Sequence, residues 1–326
     1  MSEPAIAVAG LVKRFGEVTA VRGIDFTVAP GEVFGFLGPN GAGKSTTINM
    51  LATLLRPTAG TARVAGHDVV GERDDVRRNI GLVFQDPTLD AYLSGEQNLR
   101  FHAELYGISR SVVADRIRQV LEMVGLWERR RDKVRTYSGG MRRRLEIARG
   151  LLHSPRVLFL DEPTIGLDPQ TRASIWDYIR RLQRAEQITI FLTTHYMEEA
   201  EYCDRIAIMD NGRIVALDTP EALKAGVGKD RVRLQTGGEE TDRAAIRALK
   251  DGFGIDAEVR DGAVTFAVAR GEEFVPRLFT ELGLPIRSVN LARPSLDDVF
   301  MAYTGTTIRD AEGSSRDWMR LAVRNR

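Results

Sequence analysis

Residues 5–37 alternate short apolar runs with glycine-bearing turns: Ala5–Leu11, a turn at Phe15-Gly16, Val18–Val28, then Val33–Leu37. This rhythm predicts strands. Val33-Phe34-Gly35-Phe36-Leu37 is apolar throughout, as a strand buried on both sheet faces requires. It runs straight into Gly38-Pro39-Asn40-Gly41-Ala42-Gly43-Lys44-Ser45-Thr46, ahead of a helix predicted over Thr47–Leu55. From Leu93 to Gly125 the period becomes helical. Ser94 and Gln97 have the spacing of a capping box, Ile117, Val120, Leu121 and Val124 share one face, and Gly125 stops the helix. A helical insert, taken as about 93–145, therefore interrupts the strands. Val157–Leu160, Ile188–Leu192 and Arg205–Met209 are three more short apolar strands, with a helix over Ser174–Ala185 between the first two. The first 225 residues read as an α/β domain with parallel strands.

Beyond a glycine-rich and charged linker at 226–230 the rhythm changes. Val232–Thr236 predicts a strand, Asp242–Asp251 a helix, Ile255–Arg260 and Ala263–Ala269 a hairpin around Asp261-Gly262, Glu272–Leu282 a helix and Ile286–Leu291 a strand. The order βαββαβ predicts a small α+β, ferredoxin-like domain over 231–304. Leu296–Tyr303 is a closing helix capped by Ser295, with Leu296, Val299, Phe300 and Tyr303 on one stripe. From Gly305 the chain is polar, rich in Arg and expected to be disordered.

Composition narrows the class. With 43% hydrophobic and 28% charged residues the chain can bury a core, so wholesale disorder is excluded. The formal net charge of +1 disfavours a nucleic-acid partner. The single cysteine, Cys203, excludes an internal disulfide and fits a reducing compartment. No run approaches the ~18 apolar residues of a membrane span and the N-terminus lacks a secretory pattern, so a cytoplasmic chain is expected.

The chemistry begins where the strand at 33–37 ends. Gly38-x-x-x-x-Gly43-Lys44-Ser45 between a strand and a helix is a phosphate-binding loop, because its amides and the helix N-terminus point at an anion while glycines allow close approach. Lys44 is expected to reach the β- and γ-phosphates and Ser45 to bind Mg²⁺. Val157–Leu160 ends in Asp161-Glu162. Asp161 is expected to hold Mg²⁺ through water, and Glu162 to polarise the attacking water. Ser138-Gly139-Gly140 ahead of the basic helix that starts at Arg142 makes a second anion-binding helix end.

Gly38–Thr46, Ser138–Met141, Leu160–Thr164, Gly166-Leu167-Asp168 and His195 stand in an order and spacing that resemble the ABC-transporter ATPases, over residues 5–225. The resemblance implies a P-loop NTPase (ABC ATPase) fold in which two subunits sandwich two ATP molecules. Ser138 and Gly140 would then meet the γ-phosphate held by the other subunit's loop. It further implies that Phe15 stacks on adenine and that Gln85, after Ile80–Phe84, senses Mg²⁺ and water. His195 would contact the γ-phosphate, and Asp168 would lie in the loop that crosses the dimer interface. Asn40, Gly41 and Thr46 belong to the ATP-binding loop. Tyr137 and Met141 stand where Leu and Gln are commoner.

Tyr137–Met141 followed by Arg142-Arg143-Arg144-Leu145-Glu146-Ile147-Ala148, together with Pro294-Ser295-Leu296-Asp297-Asp298-Val299-Phe300, is similar to the daunorubicin/doxorubicin-resistance exporter ATPases. That likeness implies antibiotic or other amphiphile efflux, powered by ATP and Mg²⁺, by a homodimer bound to a separately encoded permease of the ABC-2 export type on the inner face of the membrane. Two alternatives stay open, an ATPase for lipid or polysaccharide export and an importer ATPase. A soluble ABC protein acting on ribosomes or DNA fits less well, since the chain has one phosphate loop and no sustained heptads.

Overall fold

The computed structural model describes residues 3–86, 88–260 and 262–305. Packing divides the chain into two units, one up to Thr219 and one from Pro220. The first runs β1 (Ile6–Phe15), β2 (Val18–Val28), β3 (Val33–Leu37), α1 (Lys44–Leu51), β4 (Ala59–Val64), β5 (His67–Asp68), α2 (Arg73–Asn79), β6 (Ile80–Val83), α3 (Gly95–Leu105), α4 (Val113–Met123), α5 (Gly139–Leu151), β7 (Val157–Asp161), α6 (Pro169–Glu186), β8 (Thr189–Thr194), α7 (Met197–Ala200), β9 (Arg205–Asp210) and β10 (Arg213–Asp218).

Six strands form a sheet in the order β10-β9-β3-β8-β7-β6. The pairs from β9 to β6 are parallel, and β10 runs antiparallel to β9. Every residue of β3, β7 and β8 is buried, which is why these strands read as unbroken or nearly unbroken apolar runs. The expectation of parallel strands throughout the domain needs correcting, because β2, β1, β4 and β5 form a separate antiparallel sheet in that order. β1 and β2 mix buried and exposed positions, the mark of a sheet with one face toward water. Phe26 from this sheet meets Phe34, Phe36 and Phe191 of the other at ring-centroid distances of 5.1 to 5.9 Å, so one aromatic core joins the two layers.

The parallel sheet positions the chemistry. β3, β8 and β7 are neighbours that all end on one side, with Leu37 beside Thr194 and Thr193 beside Asp161. Adjacent strands lie roughly 4.8 Å apart, so the loops leaving these three strands emerge side by side, where ligands of open α/β sheets bind.

Helix bounds move by a few residues from expectation. α1 starts at Lys44 and stops at Leu51, because Thr53 turns to φ 63°. α6 starts at Pro169, where Asp168 caps it with proline in the first turn. The capping box of Ser94 and Gln97 forms as expected, and the buried face of α4 carries Ile117, Val120 and Leu121. α5 runs past the expected end of the insert, with a buried stretch from Leu145 to Leu151.

The second unit runs α8 (Pro220–Val227), β11 (Asp230–Gln235), α9 (Glu239–Phe253), β12 (Ala257–Arg260), β13 (Ala263–Val268), α10 (Gly271–Glu281), β14 (Ser288–Ala292) and α11 (Leu296–Thr304). The stretch expected as a linker is instead the end of α8 and the start of β11, with only 228–229 between them. The strand order is β12-β13-β11-β14, with every pair antiparallel. α9 packs on β12 and β13, and α10 on β11 and β14, around Val232, Leu234, Leu249, Val264, Phe266 and Leu278. α11 packs against α8 rather than joining that core. Leu296, Val299 and Phe300 are fully buried, whereas Tyr303 of the expected stripe is 47% exposed. Ser295 and Asp298 form the cap of α11. The expected tail covers 305–326; Gly305 is the C-cap of α11, and 306–326 lie outside the described residues.

Phe300 has no exposed surface. Phe300→Ala is therefore expected to destabilise the second unit by about 3–5 kcal/mol, read as an earlier urea or thermal unfolding transition; an unchanged transition would show that this helix pair contributes no stability.

Candidate active site

The loop after β3 is built for an anion. Gly41 and Gly43 hold φ of 84° and 105°, and a Cβ at Gly43 would lie 2.6 Å from the Ala20 carbonyl oxygen. A Cβ at Gly38 would lie 2.3 Å from the Met209 carbonyl oxygen, so both positions require glycine for packing. Gly43 caps α1 without a side chain, and no acidic residue stands in the first turn of that helix. No acidic residue of α1 itself therefore offsets the positive helix end that faces the loop. Asn40 and Gly41 are exposed, Ser45 and Thr46 are half-buried, and Lys44 is buried. The Lys44 Nζ donates to the carbonyls of Gly38 at 2.6 Å and Pro39 at 3.0 Å, and lies 3.9 Å from Glu162 Oε1.

The end of β7 faces this loop. Ser45 Oγ donates to Asp161 Oδ1 at 3.1 Å, and Thr193 Oγ1 donates to the same oxygen. Burial pushes the Asp161 carboxyl up, against these two hydrogen bonds that pull it down. Glu162 turns to φ 46°, with its N–H donating to Thr193 O at 3.2 Å and Thr193 Oγ1 at 3.1 Å. Its Oε1 lies 3.3 Å from His195 Nδ1, and its buried Oε2 has no hydrogen-bond partner among the described residues. Burial raises the Glu162 carboxyl, but His195 and Lys44 together outweigh it and hold the group below its usual range. Glu162 is thus a buried anion beside two nitrogen groups, with one oxygen unpaired among the described residues.

The other expected site residues lie around this centre. Ser138 caps α5 by accepting from Met141 N at 3.2 Å. A Cβ on Gly140 would stand 2.5 Å from Thr171 Cγ2, so the start of α5 abuts α6 where no methyl group fits. Asp168 is exposed and caps α6, accepting from Thr171 N at 3.0 Å and Thr171 Oγ1 at 2.6 Å. The Thr171 hydroxyl and amide hold its carboxyl below the usual range. Gln85 is exposed and makes no hydrogen bond to Ser45 or Asp161 among the described residues; it borders a cavity of about 200 Å³ with Gly139, Arg143 and Gly166. Phe15 presents a 47% exposed ring at the end of β1, with Lys13 Nζ 4.9 Å from its centroid.

Several residues of the site carried no signal in the sequence. Thr193 serves both Asp161 and Glu162, yet a threonine ending an apolar strand looks like an ordinary strand former. Glu199 on α7 is 1% exposed, accepts from Thr164 Oγ1 and lies 3.9 Å from Arg172 Nε. Burial raises its carboxyl to about 7. A carboxylate among Glu198, Glu199 and Glu201 looks solvated until the fold buries it. Arg143, in a run of three arginines, is buried as well.

Comparisons with known proteins show which family the chain resembles. Residues 21–165 match the family model described as ABC transporter, and residues 219–304 match the C-terminal domain of ATP-binding proteins described as DrrA1-3-like. The chain is 45% identical to the daunorubicin/doxorubicin resistance ATP-binding protein DrrA of Streptomyces peucetius, over 92% of each chain. It is 40% identical to the Nod factor export ATP-binding protein I of Ralstonia nicotianae, over 95% of this chain and 96% of that one. Among solved structures, an ATP-binding cassette in a dimeric post-hydrolysis state bound to ADP and Pi superposes with a TM-score of 0.59 at 26% identity, covering 66% of this chain and 98% of that one.

Proposed function

The chain belongs to the DrrA family of ABC-transporter ATP-binding proteins, ATPases that drive transport, and from that premise we propose that it powers an exporter of drugs or other amphiphiles. The observation that carries the hydrolytic reading is the convergence of Lys44, Ser45, Asp161, Glu162 and His195 at the ends of three adjacent strands. The export reading draws support from relatives named for drug resistance and for Nod factor export, whose similarity runs across both units of the chain. Lipid or polysaccharide export remains the second reading because one of those relatives exports Nod factor.

ATP would lie with its phosphates on the positive end of α1, where the loop amides and the Lys44 ammonium meet the β- and γ-phosphates. The adenine would rest on the open face of Phe15. Ser45 and Asp161 fit Mg²⁺, because their oxygens are hard donors 3.1 Å apart and a cation would offset the burial of Asp161. Bound Mg²⁺ would neutralise charge on the phosphate oxygens. Glu162, held as the anion, orients the attacking water and takes its proton on a carboxylate oxygen. His195, whose Nδ1 lies 3.3 Å from that carboxylate, would contact the γ-phosphate, and Gln85 would supply a side-chain amide to the metal and the water. Ser138 and Gly140 at the start of α5, with Asp168, would complete the site of a second subunit in an ATP-sandwiched homodimer.

ABC ATPase subunits pair with membrane permeases, and no described helix of this chain is long and apolar enough to cross a membrane. We assign the crossing path to a separately encoded permease of the ABC-2 export type and place this chain in the cytoplasm, peripheral on the inner face of the membrane. The expected boundary at 225 falls inside α8, so we take the unit up to Thr219 as the ATPase domain and the unit from Pro220 as an accessory domain. The accessory domain is read as ferredoxin-like on its βαββαβ order and its β12-β13-β11-β14 sheet.

The test co-expresses the chain with a candidate permease of the ABC-2 export type from the same genome. The expected result is a complex that hydrolyses ATP faster with an amphiphilic drug present and lowers that drug's accumulation in cells. Stimulation by lipid-linked saccharide alone would move the assignment to the second reading, and failure of the two proteins to associate would remove the proposed pairing with that permease.

A further inference from the structure

The buried Arg143 guanidinium spends all five of its N–H donors on the segments that carry the site. Nε donates to Pro163 O at 2.6 Å, and Nη1 donates to Phe84 O at 2.6 Å and to Glu146 Oε2 at 3.0 Å. Nη2 donates to Asp161 O at 3.0 Å and to Glu162 O at 3.2 Å. Five donors in a fixed planar fork are what Arg has and Lys lacks. Glu146, one turn further along α5, compensates the charge and accepts from Thr88 N at 2.7 Å. Each acceptor has a place in the site. Phe84 precedes Gln85; Asp161, Glu162 and Pro163 are the end of β7 and its turn; Arg143 itself stands on α5, one turn from Ser138.

We propose that Arg143 is a positioning residue for hydrolysis, locking the Glu162 turn and the Gln85 segment to the helix that Ser138 opens. It touches no reacting atom. It acts by fixing the peptide of Glu162 at its carbonyl, while Thr193 fixes the same residue at its N–H. Movement of α5 is thereby transmitted to the base and to Gln85 together, through one side chain. Glu146 is part of the device, because a buried guanidinium without its carboxylate is costly and the bond that carboxylate makes to Thr88 N is lost with it.

The inference rests on Glu162 acting as the base, so the experiment uses the full-length chain in two backgrounds. ATP affinity, KM, kcat and melting temperature are measured with Mg²⁺ and ATP for Arg143→Lys and Glu146→Gln, alone and combined with Glu162→Gln. Arg143→Lys is expected to keep ATP affinity within about threefold and to lower kcat by about tenfold or more. In the Glu162→Gln background the same change is expected to cost about threefold or less, since most of its effect runs through that carboxylate and only the share that runs through Gln85 is left. Glu146→Gln, a milder change, is expected to lower kcat by about threefold to tenfold with KM unchanged, and it decides the matter if Arg143→Lys does not fold. Unchanged kcat in the folded variant would overturn the proposal. So would an equal loss in both backgrounds. If Glu162→Gln alone hydrolyses at the wild-type rate, the base assignment has failed, which is a separate outcome.

Discussion

Glu162→Gln is expected to bind ATP normally and to turn it over about 10²-fold or more slowly than the wild type. Gln keeps the length and one acceptor oxygen but cannot take a proton from water. The surroundings argue for so large an effect: the carboxyl is 6% exposed, has one oxygen without a partner among the described residues and is held as the anion by His195 and Lys44. With hydrolysis blocked and binding intact, the ATP-bound dimer is expected to accumulate, visible as a shift to twice the monomer mass in the presence of ATP. Hydrolysis near the wild-type rate would remove Glu162 from the mechanism.

Lys44→Ala is expected to fail earlier, at binding. The loss of one charge-assisted contact to phosphate is worth roughly 1.5–3 kcal/mol, which is about 10- to 100-fold in the dissociation constant for ATP. The rate at saturating ATP is expected to fall as well, because the ammonium also stands 3.9 Å from the Glu162 carboxylate and helps hold it charged. A titration with a fluorescent ATP analogue separates the two variants, with weak binding expected for Lys44→Ala and tight binding for Glu162→Gln. If both bind equally well and fail alike, the roles given to the two residues are wrong.

What the sequence reveals depends on how local each signal is. The phosphate loop, the Asp161-Glu162 strand end and the α3 cap are readable because their residues are contiguous and each type has one strong physical reason to be there. The partner sheet of β1, β2, β4 and β5 was not, since alternating strands give no clue to which neighbour they choose, and long-range pairing is set by the core they share with Phe34 and Phe191. The same limit hid Arg143 and Glu199. Charged residues in a charged run look solvated, and only the fold shows that one guanidinium faces four carbonyls and one carboxyl faces a core. Tyr303 erred the other way, as an aromatic in stripe register that the packing of α8 does not reach.

The φ of 46° at Glu162 sets stability and activity against each other at a single position. A glycine or asparagine sits more comfortably in that region of the backbone, and relieving such strain stabilises a fold by about 1 kcal/mol or more. Neither residue can act as a base there. A sequence-design procedure that optimised the fold alone would therefore choose to replace this glutamate, and would deliver a sturdier cassette that holds ATP and does no work.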